Sequence, residues 1–295
     1  MKYSLRNDRL TATFDTFGGE LVSLKDNGGV EYLWQGDKTY WGGHAPILFP
    51  IVGSLRDNRA TVGGNKTCEM KRHGVVRKKE FKLKNQTKDT VEFSIRPDEE
   101  MKMQFPYDFE LTARYILGKG GVTVEFNVTN RDSEPMPYQI GGHPGFRCPL
   151  TDGERFEDYV VEFEQTETAD CPENVMETGL LDVSKVKRIL DHSKALKMSH
   201  DLFRNDALVF DNLKSKSVKL YHSGTGRGVA LDFAEFDNLL IWSSANDGPF
   251  VALEPWNGLS TCSDEGDVFE EKRGVRTLAP GESKSYSFRI RILPE

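Results

Sequence analysis

No stretch of this sequence approaches the ~20 consecutive apolar residues that a membrane helix needs. The opening MKYSLRNDRL also lacks the apolar block of a secretory leader. A cytoplasmic protein with no membrane partner is therefore expected. Only four cysteines occur, Cys68, Cys148, Cys171 and Cys262, and no two are close enough for a metal-binding pair. Neither a metal nor any other cofactor is expected, and the thiols read as reduced and partly buried. Basic runs are missing too. With 39 Lys+Arg against 46 Asp+Glu the formal net charge is -7, so no basic face exists to neutralise nucleic-acid phosphates. The glycine-rich stretches are not followed by Gly-Lys-Ser/Thr, and no serine sits in a glycine-flanked elbow. Nucleotide-loop and serine-nucleophile chemistry are thereby set aside. There is no repeat and no Pro/Gly/Ser-rich linker, which points to one domain over residues 1–295.

What is present is apolar mass in a period-two pattern. Hydrophobic residues make up 37% of the 295 and 18 are Phe, enough for a sizeable core and too much for a disordered chain. Phe109, Leu111, Ala113 and Tyr115 alternate with mostly polar neighbours. Beyond the turn Gly118–Gly121, Val122, Val124, Phe126 and Val128 do the same, which reads as a hairpin with one face in the core. Thr90–Ile95 and Tyr286–Ile292 repeat the pattern. Further strands are expected at 9–15, 19–25, 30–34, 80–84, 158–164, 217–222, 228–233, 239–243 and 250–253. Short helices are expected at 98–104 and 265–272, and loops with a few short strands over 165–205. Many short strands without intervening helices predict a large antiparallel sandwich.

Three segments depart from ordinary strand or turn sequence: Arg72-His73-Gly74-Val75-Val76-Arg77, Gly141-Gly142-His143-Pro144-Gly145-Phe146, and Val251-Ala252-Leu253-Glu254-Pro255-Trp256-Asn257-Gly258. Glu254 ends an apolar strand, where desolvation raises a carboxyl pKa toward the range useful for proton transfer; a strand-end glutamate paired with an arginine is the structural alternative. His143 has glycines around it that admit a ligand to the imidazole, or it is a core histidine held by a carbonyl. His73 fits a site or a mere turn. Trp256 and Trp242 offer flat faces suited to the C–H face of a sugar, though core packing is the commoner fate of tryptophan. Arg56, Arg59, Arg72 and Arg77 suit a phosphate or a hydroxyl-rich ligand, or form a solvated face.

Read together, these segments resemble the aldose 1-epimerase (galactose mutarotase) family, and more closely its bacterial LacX-like branch. His143 lies 70 residues after His73 and Glu254 a further 111 on. The matching stretches are Trp34–Asp37, Ala45–Gly53, His73-Gly74, Gly142–Phe146, Leu253–Trp256 and Glu271–Gly274, in the family's order and from about residue 18 to 290. The resemblance implies an antiparallel β-supersandwich and a mutarotase acting on a hexose or hexose phosphate without cofactor or metal. It further implies Glu254 as general base, His143 as general acid and His73 as a sugar contact. A sugar-binding aspartate falls at Asp206, with Asp211 competing. Arg77, Trp256 and Arg59 complete the expected binding set. Val75 and Val76, and Ser54 where the family often has arginine, depart from the pattern and bear on sugar recognition; Arg56 or Arg59 is the expected substitute. A small-molecule sugar is the expected partner, and a monomer or homodimer the expected state. A carbohydrate-binding protein without turnover is the alternative; a glycoside hydrolase would need a second carboxylate, with Asp206 or Asp232 as nominees that no motif supports.

Overall fold

The computed structural model describes residues 1–294. Two antiparallel sheets dominate. The larger has nine strands in the order Leu180–Lys197, Tyr159–Val175, Ser217–His222, Gly228–Asp232, Ser283–Leu293, Gly121–Asn130, Phe109–Gly118, Thr90–Ile95 and Lys82–Gln86. The smaller runs Leu208–Phe210, Asn238–Trp242, Phe250–Asn257, Ile140–Gly142 and Ile47–Leu48, and Gly145–Arg147 also pairs with Phe250–Asn257. A three-stranded sheet (Lys2–Arg6, Leu10–Asp15, Glu20–Asp26) adds a further layer. The mainly β architecture agrees with the expected supersandwich.

The alternation read from the sequence is what joins the sheets. Phe109, Phe126 and Phe288 point from the large sheet into the core; Phe49, just after the small-sheet strand Ile47–Leu48, meets Phe109 at 4.8 Å, and Phe210 of the small sheet meets Phe163 at 5.6 Å between ring centroids. Gly142 lies so close to the large sheet that a Cβ there would meet the Phe288 ring at 2.8 Å.

Three expectations change. Residues 165–205 are mostly not loop: Tyr159–Val175 and Leu180–Lys197 form one long hairpin with several register shifts. In the second strand Ser184–Arg188 is exposed on both faces, and the inward face of the first includes the buried Glu167, so no continuous apolar alternation marks the hairpin in the sequence. Residues 265–272 hold only a 3₁₀ turn at Phe269–Glu271. There Glu265 spends its carboxylate on the backbone N–H groups of Cys262 and Arg273, a local competition that disfavours helix. Residues 30–34 make only isolated bridges, at Glu31 and Leu33. The other short helix forms at Glu99–Gln104, capped by the Asp98 carboxylate accepting from Met101 N–H at 2.8 Å. All four cysteines are buried and unpaired, and among the described residues no helix is long and apolar enough to cross a membrane.

Candidate active site

The small sheet sets the spacing of the key pair. Ile140 and Gly141 pair with Asn257 and Trp256, and after a break at His143-Pro144 the pairs Gly145–Ala252, Phe146–Val251 and Arg147–Phe250 keep the same register. Continued through the break, that register sets His143 opposite Glu254, where cross-strand side chains meet. On the other flank Leu240 pairs with Glu254 and Trp242 with Ala252. Since strand side chains alternate, Glu254, Trp256, Leu240, Trp242 and His143 share one face.

That face floors a cleft of about 140 Å³, completed by Trp41, Arg72, His73, Arg77, Asp206 and Ala207. It is of the order of the ~150 Å³ cavity that takes up benzene, a six-membered ring. His143 Nε2 lies 3.3 Å from Glu254 Oε2, with both residues buried, 5% and 2% exposed. Burial pushes the Glu254 carboxyl well above its ordinary range, against a smaller opposing pull from Arg72. Burial likewise drives the His143 imidazole down to about 3. Burial of both groups therefore favours a neutral carboxylic acid facing a neutral imidazole.

His73 is held by its own backbone as well as its ring. Its φ is 74°, a left-handed conformation that costs a non-glycine residue energy, and its Nδ1–H donates to the Val52 carbonyl at 2.5 Å. This fixes the tautomer that keeps Nε2 as an acceptor. Val52 N–H donates in turn to Gln139 Oε1 at 3.2 Å, while Gln139 Nε2 donates to the carbonyls of Leu259 and Arg273 at 3.3 and 3.1 Å. The Glu271–Gly274 stretch thus reaches the site through Gln139. Asp206, also left-handed at φ 70°, accepts from Arg72 Nη1 at 2.8 Å. Arg77 lies beside Arg72, whose charge adds to burial in lowering its pKa; among the described residues no acidic partner pairs with it.

The expected site residues divide cleanly. Glu254, His143, His73, Arg77, Asp206 and Trp256 all line the cleft. Arg59 does not: its side chain is 62% exposed and lies 3.9 Å from Glu69, because on the strand Arg59–Val62 it is Ala60 and Val62 that turn inward. Arg56 pairs with Asp267 at 2.7 Å, so neither replaces the contact in doubt at Ser54. Asp211 is exposed and outside the cleft. Sequence reasoning missed Trp41, whose ring stacks on His143 at 4.7 Å between centroids and 26° between planes. Its available signal is Trp41-Gly42-Gly43 outside any alternating stretch, together with Gly145, where a Cβ would lie 2.7 Å from the Trp41 ring.

Two buried polar atoms of cleft residues, Arg72 Nε and His143 Nδ1, have no hydrogen-bond partner among the described residues. Leaving such groups unpaired costs about 1–3 kcal/mol each, so their gathering in one hollow marks a place where a polar ligand supplies the missing bonds.

Comparison with known proteins identifies the family. The family model for aldose 1-epimerase matches residues 1–291. The plasmid-encoded protein LacX of Lactococcus lactis subsp. lactis is 45% identical over 298 residues, covering 99% of this chain and 100% of that protein. A galactose mutarotase related enzyme from Lactobacillus acidophilus superposes with a TM-score of 0.93 at 29% identity, over 99% of this chain and 97% of its own. A galactose mutarotase-like protein from Lactobacillus casei gives 0.89 at 29% identity, over 99% and 100%. On a match that spans nearly its whole length, the chain belongs to the aldose 1-epimerase family.

Proposed function

We propose that the protein is a mutarotase that interconverts the α and β anomers of a hexose or hexose phosphate, with Glu254 and His143 as the proton-transfer pair. The observation that carries this reading is the 3.3 Å approach of His143 Nε2 to Glu254 Oε2 inside the cleft. A carboxylic acid beside a neutral imidazole holds the same number of protons as a carboxylate beside an imidazolium. One proton shift therefore arms both partners, and two groups this close titrate as a unit.

With a pyranose in the cleft, the Glu254 carboxylate takes the proton from the C1 hydroxyl while the His143 imidazolium gives one to the ring oxygen. The C1–O5 bond breaks and an open-chain aldehyde forms. Rotation about C1–C2 turns the other face of the carbonyl to O5. His143 then recovers the O5 proton as O5 attacks C1, and Glu254 returns its proton to the carbonyl oxygen. The enzyme ends as it began, with no covalent intermediate. Positioned acid–base groups typically contribute about 10²–10⁴-fold each. His73 Nε2, Asp206 and Trp256 bind hydroxyls and Trp41 and Trp242 cover the ring. Arg77, with no acidic partner among the described residues, receives a hydroxyl or a phosphate.

Polarimetry of freshly dissolved α-glucose and α-galactose tests the reading, with NMR exchange between anomeric protons for the 6-phosphates. Acceleration over the buffer rate for at least one sugar is expected. Decay at the buffer rate for all four would leave a binding protein without turnover as the better account.

A further inference from the structure

His73 and His143 line the same cleft but are held differently. The Nδ1–H of His73 donates to a carbonyl, whereas Nδ1 of His143 has no hydrogen-bond partner among the described residues. Ring packing takes that role at His143. The Trp41 indole lies 4.7 Å from the imidazole at 26°, and the Trp242 ring stands 5.5 Å from both, at 83° to the imidazole and 90° to the indole. From Trp41 the stack continues to Phe250 at 5.5 Å and from there to Trp34 at 4.9 Å, with 29° between planes at each step. The indole is itself tied down. Trp41 N–H donates to the Asp37 carbonyl at 2.9 Å, and the Trp41 carbonyl accepts from Trp34 Nε1 at 2.7 Å. Glycine at 43 leaves room for the ring, which a Cβ there would meet at 2.6 Å.

We propose that Trp41 is a positioning residue of the acid step, its indole face stabilising the His143 imidazolium that protonates O5 of the bound sugar. The inference rests on the mutarotase reading and deepens it. Burial, Arg72 and Arg77 all oppose a charge on His143. The two acids of the cleft offer it little lasting help, because Asp206 is engaged by Arg72 at 2.8 Å and Glu254 loses its charge on taking the C1 proton. An indole face has no proton to exchange and keeps its negative quadrupole throughout the reaction. A cation within about 6 Å of such a face is attracted to it, the more so where water is excluded. Stacking also keeps the imidazole plane from turning, so Nε2 stays directed at the reacting atoms.

The test measures kcat and KM for anomer exchange of glucose, galactose and their 6-phosphates in wild type, Trp41→Leu, Trp41→Phe and a protein carrying tetrafluorotryptophan at position 41 alone. Fluorination drains the π face while keeping the ring's packing. Trp41→Leu is expected to lower kcat about tenfold, the scale of a desolvated cation–π contact, with KM within about twofold of wild type. Trp41→Phe, which retains a smaller face, is expected to fall between the two, and the fluorinated protein to approach Trp41→Leu. Should Trp41→Leu not fold, the fluorinated protein carries the test. Wild-type kcat in the fluorinated protein overturns the assignment, since the indole then serves only as packing. A rise in KM at unchanged kcat in Trp41→Leu also overturns it, as does no change in either constant. If wild type accelerates none of the four sugars, the mutarotase reading itself fails.

Discussion

Replacing Glu254 with glutamine removes the proposed base while keeping its shape, and the structure predicts two effects of opposite sign. An amide cannot take the C1 proton, so turnover should fall by about 10²–10⁴, equivalent to about 3–5 kcal/mol of barrier at 1.36 kcal/mol per tenfold. Stability should rise. Burial raises the Glu254 carboxyl well above its ordinary range, whereas in the unfolded chain a glutamate ionises near ~4.3. As pH climbs past that value the unfolded state releases a proton that the folded state retains, so this site erodes stability progressively up to the folded pKa. The permanently neutral glutamine escapes that loss. Thermal melts of wild type and Glu254→Gln should nearly coincide at pH 4 and separate above it, the variant melting higher and the gap widening with pH. Polarimetry supplies the rate. A variant that keeps more than a tenth of wild-type turnover, or a melting gap that does not grow between pH 4 and pH 8, would refute the reasoning.

The His143 imidazole, driven down to about 3 by burial, gives the mirror-image case. The unfolded histidine protonates near ~6.5 while the folded one resists, so wild type should lose stability relative to His143→Gln as pH falls from 6.5 toward 3, measured by urea unfolding at matched pH values. Gln139→Leu should unpair Val52 N–H and two carbonyls, lowering stability by about 1–3 kcal/mol for each group left unsatisfied. It should also raise KM more than it lowers kcat, and ¹⁵N NMR of the His73 ring should report loss of the single tautomer. Arg59→Ala should leave kcat/KM unchanged, because its exposed pair with Glu69 has a typical worth of at most ~1 kcal/mol. Arg77→Ala should lower it roughly tenfold or more, the scale of a hydrogen bond to a charged group.

The proposed proton-transfer pair was legible because both members interrupt a pattern: Glu254 is a carboxylate in an apolar strand, and His143 is a ring among glycines. The two-sheet core was legible through the alternation at Phe109–Tyr115 and Val122–Val128. Where burial does not impose a period, the sequence is mute. In the long hairpin Ser184–Arg188 has both faces in solvent, and the inward face of the first strand carries the polar Glu167, which leaves no continuous apolar alternation to read. Arg59 was grouped with Arg72 by proximity in sequence, although the inward turn of Ala60 and Val62 already directed it outward. Trp41 and the bonds of Gln139 depend on contacts between segments far apart in the chain. Gln139 Oε1 meets a backbone N–H 87 residues away, and no local pattern encodes such a meeting.

The unbroken register across the interruption at His143-Pro144 has a consequence for how such an enzyme diversifies. The distance between His143 and Glu254, the proposed reacting pair, is set by ladder hydrogen bonds on either side of the gap, not by the loops that carry Arg72, Arg77 and Asp206. Insertions or exchanges in those loops would retune which carbohydrate enters while the chemical step stays intact. Specificity and reactivity in this scaffold are mechanically separable.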